Sequence, residues 1–502
     1  MKTVVWQLQP VEFVKALEMQ TQIWRKSVRT ASAGARRHLR DLRRDWIRTY
    51  KKRSGNQRLP AGLLARPQSD VWLTGSETDP KLVIPPKAEL SALGKPRRLR
   101  HDLRKLLHAS FADKPNYSID LVNAANSSAR RLPSLGHLYE DSRLKIRGIF
   151  LEALGAAILP DLQPNDVKRL EAQGATVLSN TELIFELPLN EGPVAGGELF
   201  WHRTGLPLGA DGQPLFTGKG VSIGVLDTGV DANHPEFFGK AIPFCAFDQF
   251  GQPMLAIRSR DFHHHGTHVS GICVGLNAGI APDAHLSVAA VLMPRANNRA
   301  SGTVVQIVAG LNWLARSAGP HGDGVDIINA SLGFEGMPDD EARGLYNLLQ
   351  TIREDEGTLV VAAIGNHGKK GAGHHGAPAR FSNVLAVGAV DHHNRIADFS
   401  AWGESTSFPA SRADGKPNLV APGVSINSCV PDGRYARTSG TSMASPIVSA
   451  AAALLIEADR TLCRKPDRLT QRLLGLTSHY SHWTSLDLPR AGEGHLDLAK
   501  LR

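Results

Sequence analysis

The stretch VSIGVLDTGVDANHP, residues 221–235, is an apolar run that stops on Asp227-Thr228-Gly229. Continuous apolar runs closed by turn-forming Asp and Gly read as strands buried on both faces. The same pattern returns at residues 286–292, 326–329, 358–363 and 384–390, with helical segments between. Strands alternating with helices predict a parallel sheet covered by helices, an α/β architecture. Two more runs end in polar or glycine-rich turns, Ser331-Leu332-Gly333 and Gly365-Asn366. Ligands of such sheets collect at the carboxyl ends of the strands, so these turns are expected along one edge, and chemistry with them.

Three further segments carry reactive side chains: HGTHVSG at 265–271, AAIGN at 362–366 and GTSMASP at 440–446. Singly, each has a plain reading as a turn, a solvated or metal-binding histidine cluster, or a helix cap. Together they supply what amide hydrolysis at neutral pH requires: a nucleophile, a base, a carboxylate to hold the base, and donors for an oxyanion. The order Asp, His, Ser resembles the subtilisin family (subtilases, S8) over residues 216–496. His265 follows Asp227 by 38 residues, and Ser442 follows His265 by 177.

That resemblance implies a serine endopeptidase with Ser442 as nucleophile, His265 as general base and Asp227 as the carboxylate that orients it. Asn366, with the backbone N–H of Ser442, would bind the oxyanion. Ser331, Leu332 and Gly333 would form the edge on which substrate lies as an added strand, with Gly333 and Gly440 allowing close backbone approach. Ser442 would open the helix running through residues 443–458, with Pro446 in the first turn, where no intrahelical N–H is lost. Catalysis of this kind requires no cofactor. The resemblance allows a structural calcium without naming its ligands, and it accounts for His265 and His268 without zinc. Two positions depart from the family pattern: Ile364, which leaves the shape of the first specificity pocket open, and Ser270, where Ala is usual. His367 is expected at the rim of that pocket.

Upstream, residues 145–188 resemble the inhibitory propeptide of subtilisins, a small ferredoxin-like α+β unit. They show an apolar strand, a helix at 164–173 capped by Asn165 or Asp166, and a strand pair at 175–178 and 183–187. The implied layout is a basic helical region with an irregular connector over 1–95, a propeptide-like domain over 110–195 and a catalytic domain over 200–502. The linker 190–200 would then cross the active-site edge and be cut by the protein itself.

Charge and composition bound the rest. The chain has 502 residues, 42% hydrophobic and only 6% aromatic, with 48 glycines and a net charge of +10. Residues 1–110 hold 24 Lys/Arg against 9 Asp/Glu, so the remaining chain is mildly acidic. Apolar steps of three and four among arginines predict two basic amphipathic helices over 11–52, suited to an acidic partner. No nucleic-acid motif accompanies them, and no apolar stretch is long enough to span a bilayer. The charged residues Lys2, Glu12, Lys15 and Glu18 break any leader-like core, and the four cysteines form no CxxC pair. Reduced thiols and the cytoplasm are the expectation, with leaderless export as the other route. Two other uses of the same residues are a catalytically silent peptide-binding module and a transpeptidase or cyclase.

Overall fold

The computed structural model describes residues 80–84, 117–123, 136–140, 143–159, 162–193 and 205–501, plus single positions between 103 and 110; the last stretch has short breaks at 211–212, 255–256, 296–298, 317, 321–322 and 409–413. The basic helices expected over 11–52 lie outside the described residues.

The first unit is a six-stranded sheet built from β1 (Lys81–Ile84), β2 (Tyr117–Asn123), β3 (Gly136–Glu140), β4 (Arg143–Leu151), β5 (Ala156–Leu159) and β6 (Thr176–Leu178), with α1 (Pro164–Ala172) before the last strand. Its order is β2-β4-β5-β1-β6, and β3 flanks β4. β1 pairs antiparallel with both β5 and β6, and β4 with β5, which is the arrangement of a split β-α-β ferredoxin-like unit. The unit therefore begins before residue 110. Its strand Lys81–Ile84, expected within an irregular connector, sits inside the sheet. Three apolar residues and a lysine between Pro80 and Pro85 are too short a run to declare themselves against proline punctuation. The helix cap also differs from expectation. Gln163 occupies the cap, Pro164 opens the helix, and Asp166 reaches back to accept the Gln163 N–H at 3.3 Å.

The strands expected over 175–178 and 183–187 both form, but they do not pair with each other. β6 stays in the first sheet, whereas β7 (Glu182–Glu186) pairs antiparallel with Arg299–Thr303 of the following unit. Next comes β8 (Leu189–Pro193), which pairs antiparallel with Arg434–Ser439.

The second unit contains β9 (Ser222–Asp227), β10 (Phe244–Ala246), α2 (His265–Val274), β11 (His285–Ala290), β12 (Met293–Arg295), β13 (Arg299–Thr303), α3 (Val304–Arg316), β14 (Ile327–Ala330), α4 (Asp339–Glu354), β15 (Leu359–Ala363) and β16 (Leu385–Val390). After a short hairpin, β17 (Gly403–Glu404) with β18 (Gly415–Lys416), follow β19 (Leu419–Pro422), β20 (Ile426–Val430), β21 (Arg434–Ser439), α5 (Thr441–Ala458), α6 (Pro466–Leu474), β22 (Thr477–Ser478) and β23 (His495–Leu496). Nine strands form one sheet in the order β10-β11-β9-β14-β15-β16-β19-β23-β22, parallel except for the last pair. The chain enters at β9, steps outward to the edge strand β10, comes back to β11 between the two, then crosses to β14 on the other side of β9. This reversal opens a crevice at the carboxyl ends of β9 and β14.

Both faces of the sheet are buried, and successive residues alternate between them. Ile223, Val225, Ile327, Leu359 and Val361 pack with α2, α5 and α6, whereas Leu226, Ile328, Val360 and Ala362 pack with α3 and α4. That is why the strands read as unbroken apolar runs. The α3–α4 layer does double duty. Leu82, Ile84, Leu151, Leu154, Ile158 and Leu178 of the first unit belong to the same core as Val305, Val308 and Tyr346. The opposite face of the small sheet, with Val83, Phe150 and Leu159, is covered by Leu103, Leu106, Leu107 and Leu170. Helix α5 has the length and apolarity of a bilayer span, but 89% of that window is buried as the core helix of the large unit.

Lys416 lies fully inside this core, its Nζ donating to the Val384 carbonyl (2.6 Å) and to Asn418 Oδ1 (2.8 Å). Burial, reinforced by nearby Arg353 and opposed by Asp414, pushes its pKa down to about 7. The unfolded chain holds this proton up to the ordinary lysine range while the folded protein releases it near 7. Stability therefore rises with pH between those limits and falls as pH drops back toward 7. Melting temperatures measured between pH 7 and 10 are expected to contain this rise, and Lys416→Met is expected to flatten it.

Candidate active site

Asp227 is the last residue of β9 and His265 the first of α2. The ring Nδ1–H of His265 donates to Asp227 Oδ1 at 2.7 Å, and the same oxygen accepts the backbone N–H of Thr228 at 2.7 Å. Both side chains are buried. His265 Nε2 is enclosed and has no hydrogen-bond partner among the described residues. The pairing demands that two backbones almost touch. A Cβ on Gly266 would collide with the carbonyl oxygen of Gly229, and Gly229 itself has φ +120 and no room for a Cβ beside Arg260. Glycine at both positions follows from sterics.

Ser442 is the second residue of α5, whose N-terminus points at the crevice beside β14. Pro446 is the sixth residue of this helix, beyond the first turn where it was expected, so it cannot supply the N–H that the Ser442 carbonyl would normally accept. Ser331 fills the gap: its Oγ donates to the Ser442 carbonyl at 2.9 Å. Asn329 on β14 donates to Ser331 Oγ at 2.9 Å, and its Oδ1 accepts from Ser445 and Ser449 Oγ at 2.9 and 3.0 Å. This buried polar set fastens the start of α5 to the end of β14. Asn329 and Ser445 were missed in the sequence, where the only signal is one Asn in an apolar strand facing Ser at i and i+4 of an apolar helix. The Ser442 hydroxyl lies 3.4 Å from the Ser331 carbonyl, at the long end for a hydrogen bond.

Asn366 follows β15. Its Oδ1 accepts from the N–H and Oγ1 of Thr441 at 2.9 and 3.1 Å, which turns Nδ2 away from them, toward the side of Gly440. Ser331, Leu332, Gly333, Asn366, His367 and Ser442 line one cavity of about 300 Å³. Ile364 does not shape it: alternation sends that side chain into the core while Ala363 and Gly365 face the cavity. His367 is at the wall, as expected, but bound to an acid absent from the sequence reading, its Nδ1 2.6 Å from Glu335 Oε1, with Lys370 Nζ 3.4 Å from the other oxygen. Gly333 has no neighbour closer than 3.8 Å to an added Cβ, so nothing in this chain forces glycine there. Gly440 does have such a neighbour, Pro188.

Pro188 belongs to a segment that passes over the site. β7 pairs with β13 through Ile184↔Ser301 and Leu183↔Gly302, and β8 pairs with β21 through Leu189↔Ser439 and Asn190↔Thr438. Leu187 and Pro188, both buried, join the two strands. The crossing thus comes before Asn190, where the sequence expectation began it. Each end is tied by an acid. Glu182 meets Arg295 and the Ser301 hydroxyl (2.8 Å to the latter), and Glu191 accepts from Ser425 Oγ at 2.6 Å and from Ser439.

The remaining histidines are spent otherwise. His268 Nε2 lies 3.1 Å from the carbonyls of Ile426 and Ala436, tying α2 to the β20–β21 hairpin. Burial, then repulsion from neighbouring rings, pushes His263 down to about 3, and His264 falls to about 4 for the same leading reason. Among the described residues no group of three or more His, Cys, Asp or Glu is arranged to hold a metal ion. The four cysteines are unpaired, and burial raises each thiol pKa, that of Cys245 to about 12. Ser270, fully buried in α2, has a hydroxyl with no partner among the described residues. Removing an unmet hydroxyl is favourable. Ser270→Ala is expected to raise the melting temperature by roughly 2 °C, the effect of about 1 kcal/mol in a domain this size.

The chain is similar to known proteins in sequence. The sequence model of the subtilase family (Peptidase_S8) matches residues 218–482. A subtilisin-like protease, PopC of Myxococcus xanthus, is 36% identical over 395 residues, covering 74% of this chain and 76% of the relative. Subtilisin DY of Bacillus licheniformis is 34% identical over 255 residues, 49% of this chain and 80% of its own. A solved cold-adapted subtilisin-like serine proteinase aligns with 60% of this chain and 96% of its own, at 28% identity and a TM-score of 0.45.

Proposed function

The chain belongs to the subtilase family and is a serine endopeptidase, and from that premise we propose that Ser442, His265 and Asp227 carry the reaction while the 182–193 segment holds the site latent. Ser442 Oγ attacks the peptide carbonyl as His265 Nε2 takes its proton. The imidazolium so formed is stabilised by Asp227, and its proton passes to the departing amine. Water then repeats the cycle on the acyl-enzyme. The observation that carries this reading is the 2.7 Å bond from His265 Nδ1 to Asp227. It assigns the proton to Nδ1, leaving the lone pair on the unpartnered Nε2. The weak contact of Ser442 Oγ with Ser331 leaves that hydroxyl free to turn. Asn366 Nδ2 and the Ser442 N–H, at the start of a helix with its dipole's positive end toward the site, are proposed as the oxyanion donors. Every proton and charge in this scheme is handled by side chains and backbone. The substrate is a protein or peptide, laid along Ser331, Leu332 and Gly333.

Latency is supported by the same pairing. The protein's own chain occupies two strand edges flanking Ser442, with Pro188 against Gly440. A peptide substrate needs that space.

Three measurements test these roles. A fluorophosphonate is expected to label wild type at Ser442 and to leave Ser442→Ala unlabelled; labelling elsewhere overturns the assignment. Asn366→Ala is expected to lower kcat about 10²–10³-fold with little change in KM, the usual cost of one oxyanion donor. Intact mass is expected to show wild type cut within residues 187–200 and Ser442→Ala whole, and identical masses would refute self-processing.

A further inference from the structure

Asp261 is buried four residues before His265, on the loop that leads into α2. Its Oδ1 accepts the Thr228 hydroxyl at 2.7 Å and the His263 N–H at 3.0 Å. Its Oδ2 accepts the N–H and the hydroxyl of Thr267, both at 2.6 Å. Thr228 Oγ1 in turn accepts the Gly266 N–H at 2.9 Å, and the Thr228 N–H goes to Asp227. Thr228 is the residue after Asp227, and Gly266 and Thr267 are the residues after His265. We infer that Asp261 is a positioning residue for catalysis: one carboxylate ties the turn carrying Asp227 to the helix start carrying His265, and so sets the aim of the imidazole.

The geometry makes this more than a buried acid satisfying itself. All four donors come from segments next to the two reactive side chains or from the loop between, and none from the rest of the core. A backbone bridge joins the same strands, with Val230 donating to the Arg260 carbonyl at 3.2 Å and Phe262 to the Thr228 carbonyl at 2.9 Å. That bridge fixes the loop but not the hydroxyl of Thr228, whose proton goes to Asp261 while its oxygen accepts the Gly266 N–H. An amide in place of the carboxylate would turn an NH₂ toward two donors, so Asn cannot reproduce the pattern. Burial, opposed by the threonine hydrogen bonds, raises the Asp261 pKa to about 6. Arg260, the rings of His263, His264, His265 and His268, Asp227 and Asp231 are the charged or titratable groups on the segments around it. As pH falls through 6 the carboxylate gains a proton and one of its oxygens becomes a donor facing donors. The acid limb of activity then includes the protonation of Asp261.

This inference rests on the proposed roles of Asp227 and His265. The test is the second-order rate of fluorophosphonate labelling of the full-length protein as a function of pH, for wild type, Asp261→Asn, Thr228→Val and Thr228→Ser. Circular dichroism reports folding, and the low-field proton resonance of the Asp227–His265 bond reports its geometry. The expectation is 10- to 100-fold slower labelling in Asp261→Asn and Thr228→Val, a displaced low-field resonance in both, and an acid limb shallower by one proton in Asp261→Asn. Thr228→Ser, which keeps the hydroxyl, is expected within threefold of wild type. Folded Asp261→Asn labelling within twofold of wild type and with the same acid limb overturns the inference. If Asp261→Asn does not fold, the Thr228 pair decides: Val equal to Ser overturns it, Val slow with Ser intact supports it. Failure of wild type itself to label overturns the roles of Asp227 and His265, and this inference with them.

Discussion

The short bond between Asp227 and His265 is the constraint around which the large unit is organised. A buried carboxylate is tolerated only where donors meet it, and beside the Thr228 N–H of its own turn Asp227 takes its side-chain donor from a different element, the start of α2. The strand and the helix can approach that closely only through glycine, at 229 and 266. The turn after β9 and the entry to α2 are thereby fixed in relation to each other. The topological reversal at β9 then brings the end of β14, and with it the start of α5, to the same crevice. Three elements far apart in sequence converge where the strand order reverses beside β9.

Ser442 is held by a different device. Its helix carries a proline where a helix normally has an N–H, which leaves the carbonyl of Ser442 in need of a donor. Ser331 provides it, and Asn329 orders Ser331. The residue that would have been a structural defect becomes an attachment point between α5 and β14. A carbonyl fixed in this way also fixes the direction of the Ser442 N–H on the other side of the same residue. The polar groups beneath the nucleophile are therefore part of its alignment, and their burial among apolar neighbours strengthens each hydrogen bond.

Much of this was legible in the sequence, and for a physical reason. The five runs at 221–226, 286–292, 326–329, 358–363 and 384–390 all form strands of the central sheet, because burial on both faces removes polar residues from them. The strands at 244–246, 419–422 and 495–496 escaped because they are short and border prolines or charges, which break the apolar run. Lys81–Ile84 escaped for the same reason. Ser442, Asn366 and the 331–333 turn line one cavity, and Asp227 and His265 are hydrogen-bonded to each other, since motif residues at strand ends and helix starts inherit the geometry of those elements. Glu335, Asn329, Ser445 and Asp261 were not found. Each acts through a partner distant in sequence, or through a hydrogen bond that a single side chain in a list does not announce. The pairing of β7 with β13 was hidden in the same way: a strand's alternation shows that it is a strand but not which edge it joins.

The first unit and the segment after it shape how the proposed latency works. The small sheet shares one apolar core with α3 and α4, so its docking is a folding-type contact rather than a polar surface encounter. The crossing segment is tethered on one side by that docked sheet and on the other by the catalytic unit's own chain. Its local concentration at the site is therefore set by linkage and not by the amount of protein in solution, and a free peptide must compete against millimolar-scale effective concentrations. Cutting the segment removes one tether without removing the apolar contact. Loss of chain continuity and loss of inhibition are then separate events: the first needs only a broken peptide bond, the second needs the Leu82, Ile84, Leu151, Leu154 and Ile158 face to leave α3 and α4. An apolar face of that size does not leave quickly, because its transition state must expose much of what it buries. In this scheme activation is governed by the release of that face, and the chemistry at Ser442 sets only when the release can begin.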